Sequence, residues 1–277
     1  MHLSSRRSPR VSPGTMASIR LRLLCEERRR ETLRVLEEQK RVTVEDLAER
    51  FQVSAVTVRS DLEHLASEGL LVRSHGGAIL PLGPQTEYPL QVKRTLHRAE
   101  KIRIGRAAAQ LIQPRQTVIL DSGTTTGELA RAIKQTNFEA LTVITHALNI
   151  AQELADAPNI SLIMIGGVLR QVAGSFVGPQ AERMMSELHA DHFFLAVDGL
   201  NLEDGPSTPD VLEAQLNAVM MRMAKQVTVI TDATKLGRRS LSIIGDIRSV
   251  YRVITDDRIT DEVAGQLRTL GIEVLIV

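Results

Sequence analysis

Gln52-Val53-Ser54-Ala55-Val56-Thr57-Val58-Arg59-Ser60-Asp61-Leu62 has the form of a tight turn, a helix cap and the first turns of a short helix. Ser54 stands where a helix start needs a side-chain oxygen for a free backbone amide. Ala55, Val58, Leu62 and Leu65 recur at the spacing of one buried helical face, and Gly69 closes the helix. Upstream, Thr43 is placed to cap another short helix with Asp46 as its capping-box partner, and Leu47, Ala48 and Phe51 form the inner face. A longer surface helix, from about residue 24 to 40, precedes it with Leu33, Val35 and Leu36 as its buried stripe. Two short helices at a tight turn make a helix-turn-helix, whose second helix fits the major groove of DNA. Leu70 to Leu80 then reads as a strand, a Gly76-Gly77 turn and a return strand, so residues 25–80 form a winged helix-turn-helix.

The buried stripe leaves Ser54, Val56, Thr57 and Ser60 on the outward face at the start of the second helix. Small hydroxyl and methyl groups there suit base edges and thymine methyls. Arg59 beside them, with Arg73 and His75 in the wing, is better placed for phosphates. Ser54 is equally a helix cap, and His75 equally a plain surface residue of a hairpin.

The charge distribution points the same way. Net charge is only +1, but residues 1–34 hold nine arginines against three glutamates, whereas residues 81–277 hold 20 basic and 22 acidic side chains. A basic end on a near-neutral body is the footprint of a nucleic-acid contact, or else of a solvated tail. Residues 1–24, rich in Arg, Ser and Pro, read as a disordered basic tail without the apolar core of a secretory signal, and Met16 is an alternative start. Aromatics make up 3% of the chain and Trp is absent, which argues against a stacking surface for single strands. The single cysteine, Cys25, excludes an internal disulfide and fits a reducing cytoplasm. No apolar run approaches the ~20 residues of a membrane span. The seven histidines are scattered, so no metal-ligand spacing and no cofactor motif is read.

Pro81 to Pro89, within a linker over 81–98, separates the wing from a second unit, residues 99–277. There, short apolar strands (117–120, 141–144, 161–165, 192–197, 227–231, 250–255, 273–277) alternate with amphipathic helices. That alternation predicts an α/β domain with a mainly parallel sheet covered on both faces. Its sharpest chemical stretch is Asp121-Ser122-Gly123-Thr124-Thr125-Thr126, between a strand and a helix. A glycine turn with hydroxyls and amides at a helix start makes an anion pocket suited to phosphate, or a capped helix with polar decoration. It lacks both the Gly-Lys-Ser/Thr ending of a Walker loop and the dinucleotide fingerprint. Further strand ends carry His146, the Gly166-Gly167 pair, Asp198-Gly199, and Lys235. Ligands of open parallel sheets bind at such ends, so these residues are candidates for one crevice, or else are turn residues.

Beyond this chemistry, Val53-Ser54-Ala55-Val56-Thr57-Val58-Arg59-Ser60-Asp61-Leu62 followed by Arg73-Ser74-His75-Gly76-Gly77-Ala78 resembles the N-terminal signature of the DeoR family of bacterial repressors. The resemblance continues through Gly166-Gly167-Val168-Leu169-Arg170, Phe194-Leu195-Ala196-Val197-Asp198-Gly199 and Thr231-Asp232-Ala233-Thr234-Lys235. It implies a sugar-phosphate sensor domain similar to ribose-5-phosphate isomerase and CoA-transferase folds. The 121–126 loop, with Asp204-Gly205-Pro206-Ser207-Thr208 and Glu213-Ala214-Gln215-Leu216-Asn217, is particularly similar to the family's N-acetylgalactosamine-operon repressors. By that likeness, Asp121 to Thr126 hold phosphate, while Asp198, Glu213 and Lys235 line a sugar pocket. Ser60 stands where many members carry a basic residue or Asn, and His146 where Asn is usual.

The expected function is a cytoplasmic, homo-oligomeric (dimer or tetramer) repressor. It binds double-stranded operator DNA and is released by a phosphorylated sugar. Two other readings remain: a sugar-phosphate isomerase or deaminase fused to a DNA-binding module, and a ligand-free architectural protein. No acid/base pair at fixed spacing supports the first, and the Ser/Thr-rich loop speaks against the second.

Overall fold

The computed structural model describes residues 25–68, 70–80, 87–94, 96–136 and 138–277. The expected basic tail, residues 81–86 of the expected linker and the helix-ending Gly69 lie outside the described residues. Among the described residues, no helix is long and apolar enough to cross a membrane.

In the N-terminal unit, α1 (Cys25–Gln39) precedes β1 (Arg41–Thr43), α2 (Val44–Phe51), α3 (Ala55–Ser67), β2 (Val72–Ser74) and β3 (Gly77–Ile79). The expected caps form: the Thr43 hydroxyl accepts from the Asp46 amide at 3.1 Å and the Ser54 hydroxyl from the Thr57 amide at 3.1 Å. Leu36, Leu47, Val58, Leu62 and Leu71 meet in one buried core. Asp61 is buried beneath α3, taking Arg29 at 3.2 Å and Arg28 in a shorter pair, which pins α1 to α3.

The wing has a third strand that sequence patterning does not register. β1 pairs antiparallel with β3, giving the order β1-β3-β2. This pairing corrects the reading of Gly76-Gly77 as a turn pair. Gly76, at φ +78°, is the turn residue, whereas Gly77 lies in β3 opposite Thr43. A Cβ on Gly77 would stand 1.9 Å from the Val42 carbonyl oxygen, so glycine is required there for close approach of two strands.

The C-terminal unit starts with α4 (Leu90–Lys93) and α5 (Arg98–Ala109). It continues through β4 (Thr117–Leu120), α6 (Thr124–Thr136), β5 (Leu141–Thr145), α7 (Leu148–Leu154) and β6 (Ile160–Met164). A hairpin of β7 (Val168–Arg170) and β8 (Ser175–Val177) leads into α8 (Pro179–Ser186) and β9 (Ala190–Leu195). After β10 (Gly199–Asn201) and β11 (Gly205–Thr208) come α9 (Val211–Met223), β12 (Ala224–Ile230), β13 (Ser242–Ile243), β14 (Arg252–Thr255), α10 (Asp261–Thr269) and β15 (Glu273–Ile276).

Seven of these strands form one sheet in the order β15-β14-β12-β9-β4-β5-β6, every pair parallel. Both faces are covered, as the continuous apolar strands require. On one side, Val118, Leu120 and Val143 pack under α5, α6 and α7; on the other, Ile119, Phe193 and Val229 pack under α8, α9 and α10. Gly105 of α5 lets that helix press on α6, since a Cβ there would stand 2.7 Å from the Glu128 carbonyl carbon and the Leu129 nitrogen. The chain runs outward from β4 to β5 and β6, then returns to the other side of β4 with β9. The order therefore reverses between β4 and β9, and a crevice opens there at the carboxyl ends of the strands.

Candidate functional site

Asp121 follows β4 and Asp198 follows β9, so the reversal of strand order places both at the mouth of this crevice. A cavity of about 300 Å³ lies there, at the small end of ligand pockets. Asp121, Ser122, Gly123, Thr124, Thr125, Asp198, Glu213 and Lys235 line it, so most of the sequence candidates converge.

The floor is a buried polar network. The Asp121 carboxylate accepts from the Ser122 amide at 2.7 Å, the Ala196 amide at 3.1 Å and the Asn217 amide group at 3.3 Å. His146 Nε2 sits 3.0 Å from Asp121 Oδ1, with both side chains shut off from solvent. On the far side of the ring, Nδ1 lies 2.9 Å from the Phe176 carbonyl oxygen, which can only accept, so Nδ1 carries a proton. A second proton must then lie between Nε2 and Oδ1, for two bare acceptors at 3.0 Å repel. The Ser122 amide reaches both atoms, at 2.7 and 3.2 Å, and one N–H cannot fully serve two acceptors. Burial works against charge on His146, but Asp121 outweighs it and holds the imidazole above its ordinary pKa. Burial raises Asp121 as well, against the pull of His146. The pair shares one proton.

Glu213 closes the network. Its carboxylate accepts from the Ser122 hydroxyl at 2.6 Å, from Arg170 at 2.8 Å and from the Thr208 hydroxyl at 3.0 Å. Glu213 sits in the first turn of α9, whose start is capped by Asp210. Asp121, His146 and Glu213 form a group of metal-ligand types within 4.8 Å that linear spacing did not reveal. Protons and the Ser122, Thr208 and Arg170 donors account for each of their contacts.

Above this floor the walls are cationic. Thr124 opens α6 and lines the cavity with Thr125, which puts the amino-terminal end of the helix, and the positive end of its dipole, at the cavity wall. Lys101 of α5 is buried, its ammonium donating at 2.7 Å to the carbonyls of Lys93 and Leu96. Burial brings its pKa down to about 8. Lys93 bonds both oxygens of Asp198, at 3.0 and 3.2 Å, and Lys235 stands 3.6 Å from Asp198 on the other side. Burial opposes charge on both Lys93 and Asp198, but their mutual attraction prevails, raising the first and lowering the second. An anion entering here meets helix amides and ammonium groups, while the carboxylates below can accept from hydroxyls.

Five sequence candidates fall elsewhere. Thr126 is fully buried behind the loop, and its hydroxyl has no partner among the described residues. Gly166 and Gly167 are exposed at the base of the β7–β8 hairpin, where a Cβ on Gly167 would meet the Val177 carbonyl oxygen at 2.5 Å. Gly199 is a close-approach glycine, 2.5 Å by the same test from the Arg238 carbonyl oxygen. His146 lies under the pocket and acts through Asp121. Lys93, Lys101, Glu87 and Arg170, by contrast, escaped the sequence reading. Arg170 ended a stretch quoted for its glycines, and its charge after Val168-Leu169 was the available signal.

In the N-terminal unit, Val56 is 72% exposed at the start of α3, with Arg59 and Ser60 also exposed and Thr57 half-buried. Ser54 and Thr57 are joined by a 2.9 Å hydroxyl contact as well as the cap. His75 is exposed at the wing tip, whereas Arg73 is half-buried, its guanidinium donating to the Gly77 carbonyl at 2.9 Å and standing 3.6 Å from Glu63. Arg73 thus braces the wing.

Comparison with known proteins assigns both units. The DeoR-like helix-turn-helix domain matches residues 28–82, and the DeoR C terminal sensor domain matches residues 96–257. The chain is 40% identical over 254 residues to a protein of Escherichia coli O157:H7 provisionally named the aga operon transcriptional repressor, covering 91% of this chain and 93% of that protein. It is 30% identical over 224 residues to the glycerol-3-phosphate regulon repressor of Escherichia coli strain K12, covering 81% and 88%. Among solved structures, a ribose 5-phosphate isomerase from Methanocaldococcus jannaschii overlaps 49% of this chain and 53% of its own, at a TM-score of 0.37 and 13% identity.

Proposed function

The chain belongs to the DeoR family of DNA-binding transcriptional regulators, and from that membership we propose that it represses a sugar or amino-sugar catabolic operon and leaves its operator when a phosphorylated sugar fills the cavity at the β4–β9 crevice. The observation that carries the reading is the cavity's polarity. Helix amides at Thr124 and Thr125 and the ammonium groups of Lys101 and Lys235 supply an anion end. Asp198 supplies acceptor oxygens for sugar hydroxyls or an amino group. Relatives named for the aga operon and for the glycerol-3-phosphate regulon support a small phosphorylated polyol as the class of effector.

Operator contact is assigned to α3, with Val56, Ser60 and the hydroxyl face of Ser54 and Thr57 toward the bases and Arg59 and His75 toward phosphates. Residues 25–80 act as the DNA-binding unit and the α/β unit as the sensor and as the means of homodimer or homotetramer formation. Oligomers space two recognition helices over repeated half-sites. The site of action is the cytoplasm, where the operator is. The reading is a receptor and not an enzyme. Asp121 and Glu213 are sealed under Ser122, Thr208 and Arg170, leaving no carboxylate free at the cavity floor to move a substrate proton.

A ligand that prefers one of two conformations shifts the population by its differential affinity, and coupling of ~1–3 kcal/mol changes operator affinity roughly 5–150-fold. The test is thermal melting with galactosamine 6-phosphate, ribose 5-phosphate and glycerol 3-phosphate, each beside its unphosphorylated counterpart. A ligand at 100 times its Kd stabilises by about 2.7 kcal/mol, which shifts the melt visibly. A shift with a phosphorylated compound and none with its free counterpart is the expected result. Equal shifts for both would refute the phosphate end, and no shift with any would refute the class of effector.

A further inference from the structure

The guanidinium of Arg170 faces three carboxylates at once. Nε lies 3.1 Å from Asp210, Nη1 donates to Glu213 at 2.8 Å, and Nη2 binds Glu87. These three anions are not equally anchored. Asp210 also caps α9 by accepting from the Glu213 amide at 2.9 Å, and Glu213 also holds Ser122 and Thr208. Glu87 has, among the described residues, only Arg170 and Lys93, the latter at 3.4 Å. Burial pushes its carboxyl above the usual range, against the pull of Lys93 and Arg170. It is the most loosely held of the three.

Glu87 does not belong to the sensor's own sheet or helices. It begins a short strap, residues 87–93, that follows the stretch joining the two units. The strap is fastened to the sensor by Arg170–Glu87, by Lys93–Asp198, and by the Leu90 amide donating to the Val172 carbonyl at 3.0 Å. Its helical part, α4, also packs against β2 of the wing, and Ala66, Leu71 and Val72 of the DNA-binding unit reach the rim of the same cavity. Lys101 adds a bond to the Lys93 carbonyl at 2.7 Å; two of these ties are ionic, and Glu87, Lys93 and Asp198 all line the cavity.

We propose that the strap is a latch that an anionic ligand opens: the ligand's negative charge repels Glu87, which lines the cavity, from its place on Arg170, and its hydroxyl groups claim on Asp198 the position that Lys93 holds. A phosphate in the cavity raises the cost of a second anion beside it, and the lining carboxylate with the fewest other ties is Glu87. A hydroxyl donating to Asp198 weakens the hold on Lys93, because Lys235 already balances that carboxylate from the other side. With both ion pairs gone, α4 loses its charged ties and keeps the Leu90–Val172 and Lys101–Lys93 hydrogen bonds, so its packing on β2 is less firmly fixed. Ligand binding is thereby transmitted to the wing by the segment that physically bridges the two. This inference rests on the cavity being the effector site.

The test is hydrogen exchange on the full-length protein with galactosamine 6-phosphate and ribose 5-phosphate as probes and inorganic phosphate as the minimal anion. The latch predicts slower exchange over residues 121–126 together with faster exchange over residues 87–94. Slower exchange at 121–126 with unchanged or slower exchange at 87–94 overturns the latch and leaves the site standing. No protection at 121–126 with any probe overturns both. Glu87→Gln supplies a second arm. It removes the competing charge and should bind the protecting probe roughly tenfold more tightly, the low end for losing a hydrogen bond to a charged group. By reciprocity it should weaken probe-free operator binding by a similar factor. Unchanged affinity for both also overturns the proposal.

Discussion

Replacing His146 by Asn tests whether a single proton is built into the floor of the cavity. In the folded chain that proton lies between Nε2 and Asp121 Oδ1, 3.0 Å apart, with the side chains 0% and 3% exposed, so solvent screening does not discount it. In the unfolded chain, Asp121 is ionised above about pH 4 and His146 is largely neutral above about pH 6.5. Folding in that upper range therefore takes up one proton, and the sign follows from linkage. The His146 pKa is raised in the folded state, so the pair's contribution is complete below the unfolded value and is lost as pH rises through the folded one. One proton corresponds to a loss of about 1.4 kcal/mol per pH unit across that window. Asn keeps a donor toward Asp121 and cannot titrate, so the pair's contribution to the slope should vanish in the variant, leaving only that of other groups such as Lys101. Urea melts of both proteins between pH 6 and pH 9 measure the difference directly. Parallel stability curves would refute the shared proton and leave the Ser122 amide as the donor that both atoms use.

Other perturbations read separate parts of the molecule. His192 is a buried imidazole on β9, stacked on Phe194 and bonded to Thr228, and burial lowers its pKa to about 4. A lowered histidine contributes stability above its unfolded pKa that is lost as pH falls from about 6.5 toward 4, so His192→Leu should flatten the acid limb of the same melts. Arg59→Ala should weaken binding to all duplexes alike and reduce the salt slope by about one unit, with the ligand melt unchanged; a changed sequence preference instead would place Arg59 at a base edge. Thr125→Val should abolish the melt shift with phosphorylated sugars while operator binding, read by mobility shift, persists. An unchanged shift would take this loop out of the site.

What the sequence makes legible here is what local chemistry specifies. Thr43 and Ser54 cap their helices because a hydroxyl three residues before a free amide needs no tertiary help. The strands of the large sheet are near-continuous apolar runs, legible because both faces are buried. β1 was not legible: Arg41-Val42-Thr43 is a strand only because β3 runs beside it. Helix α5 was missed for a related reason. Its buried face consists of Lys101, Ile104, Gly105, Ala108 and Ala109, a charge and mostly small residues that give little periodic apolar signal, and Gly105 allows the close crossing with α6.

The site divides in the same way. Asp121 to Thr125 were found because a strand, a glycine turn and a helix start are adjacent in sequence, and Asp198, Glu213 and Lys235 entered through strand ends and family likeness. Lys93, Lys101 and Arg170 had no such signal, being single charges far apart in the chain; Lys93 and Lys101 meet at the cavity wall, and Arg170 reaches the floor through Glu213. Gly166, Gly167 and Gly199 were read as ligand contacts, but none lines the cavity; at Gly167 and Gly199 the missing side chain allows close hairpin and strand packing, while Gly166 has open space around it. Conformational need and ligand approach select the same residue, and only three-dimensional context separates them.

The central claim is that one chain couples a phosphosugar cavity to an operator. Its most direct test follows the fluorescence anisotropy of a labelled duplex, selected by the protein from random sequence, while galactosamine 6-phosphate or its unphosphorylated sugar is titrated into the preformed complex. The account predicts saturable release by the phosphorylated compound alone, with operator affinity falling at least about fivefold. Anisotropy that stays constant for both compounds, under conditions where the phosphorylated one is seen to protect residues 121–126, would contradict it.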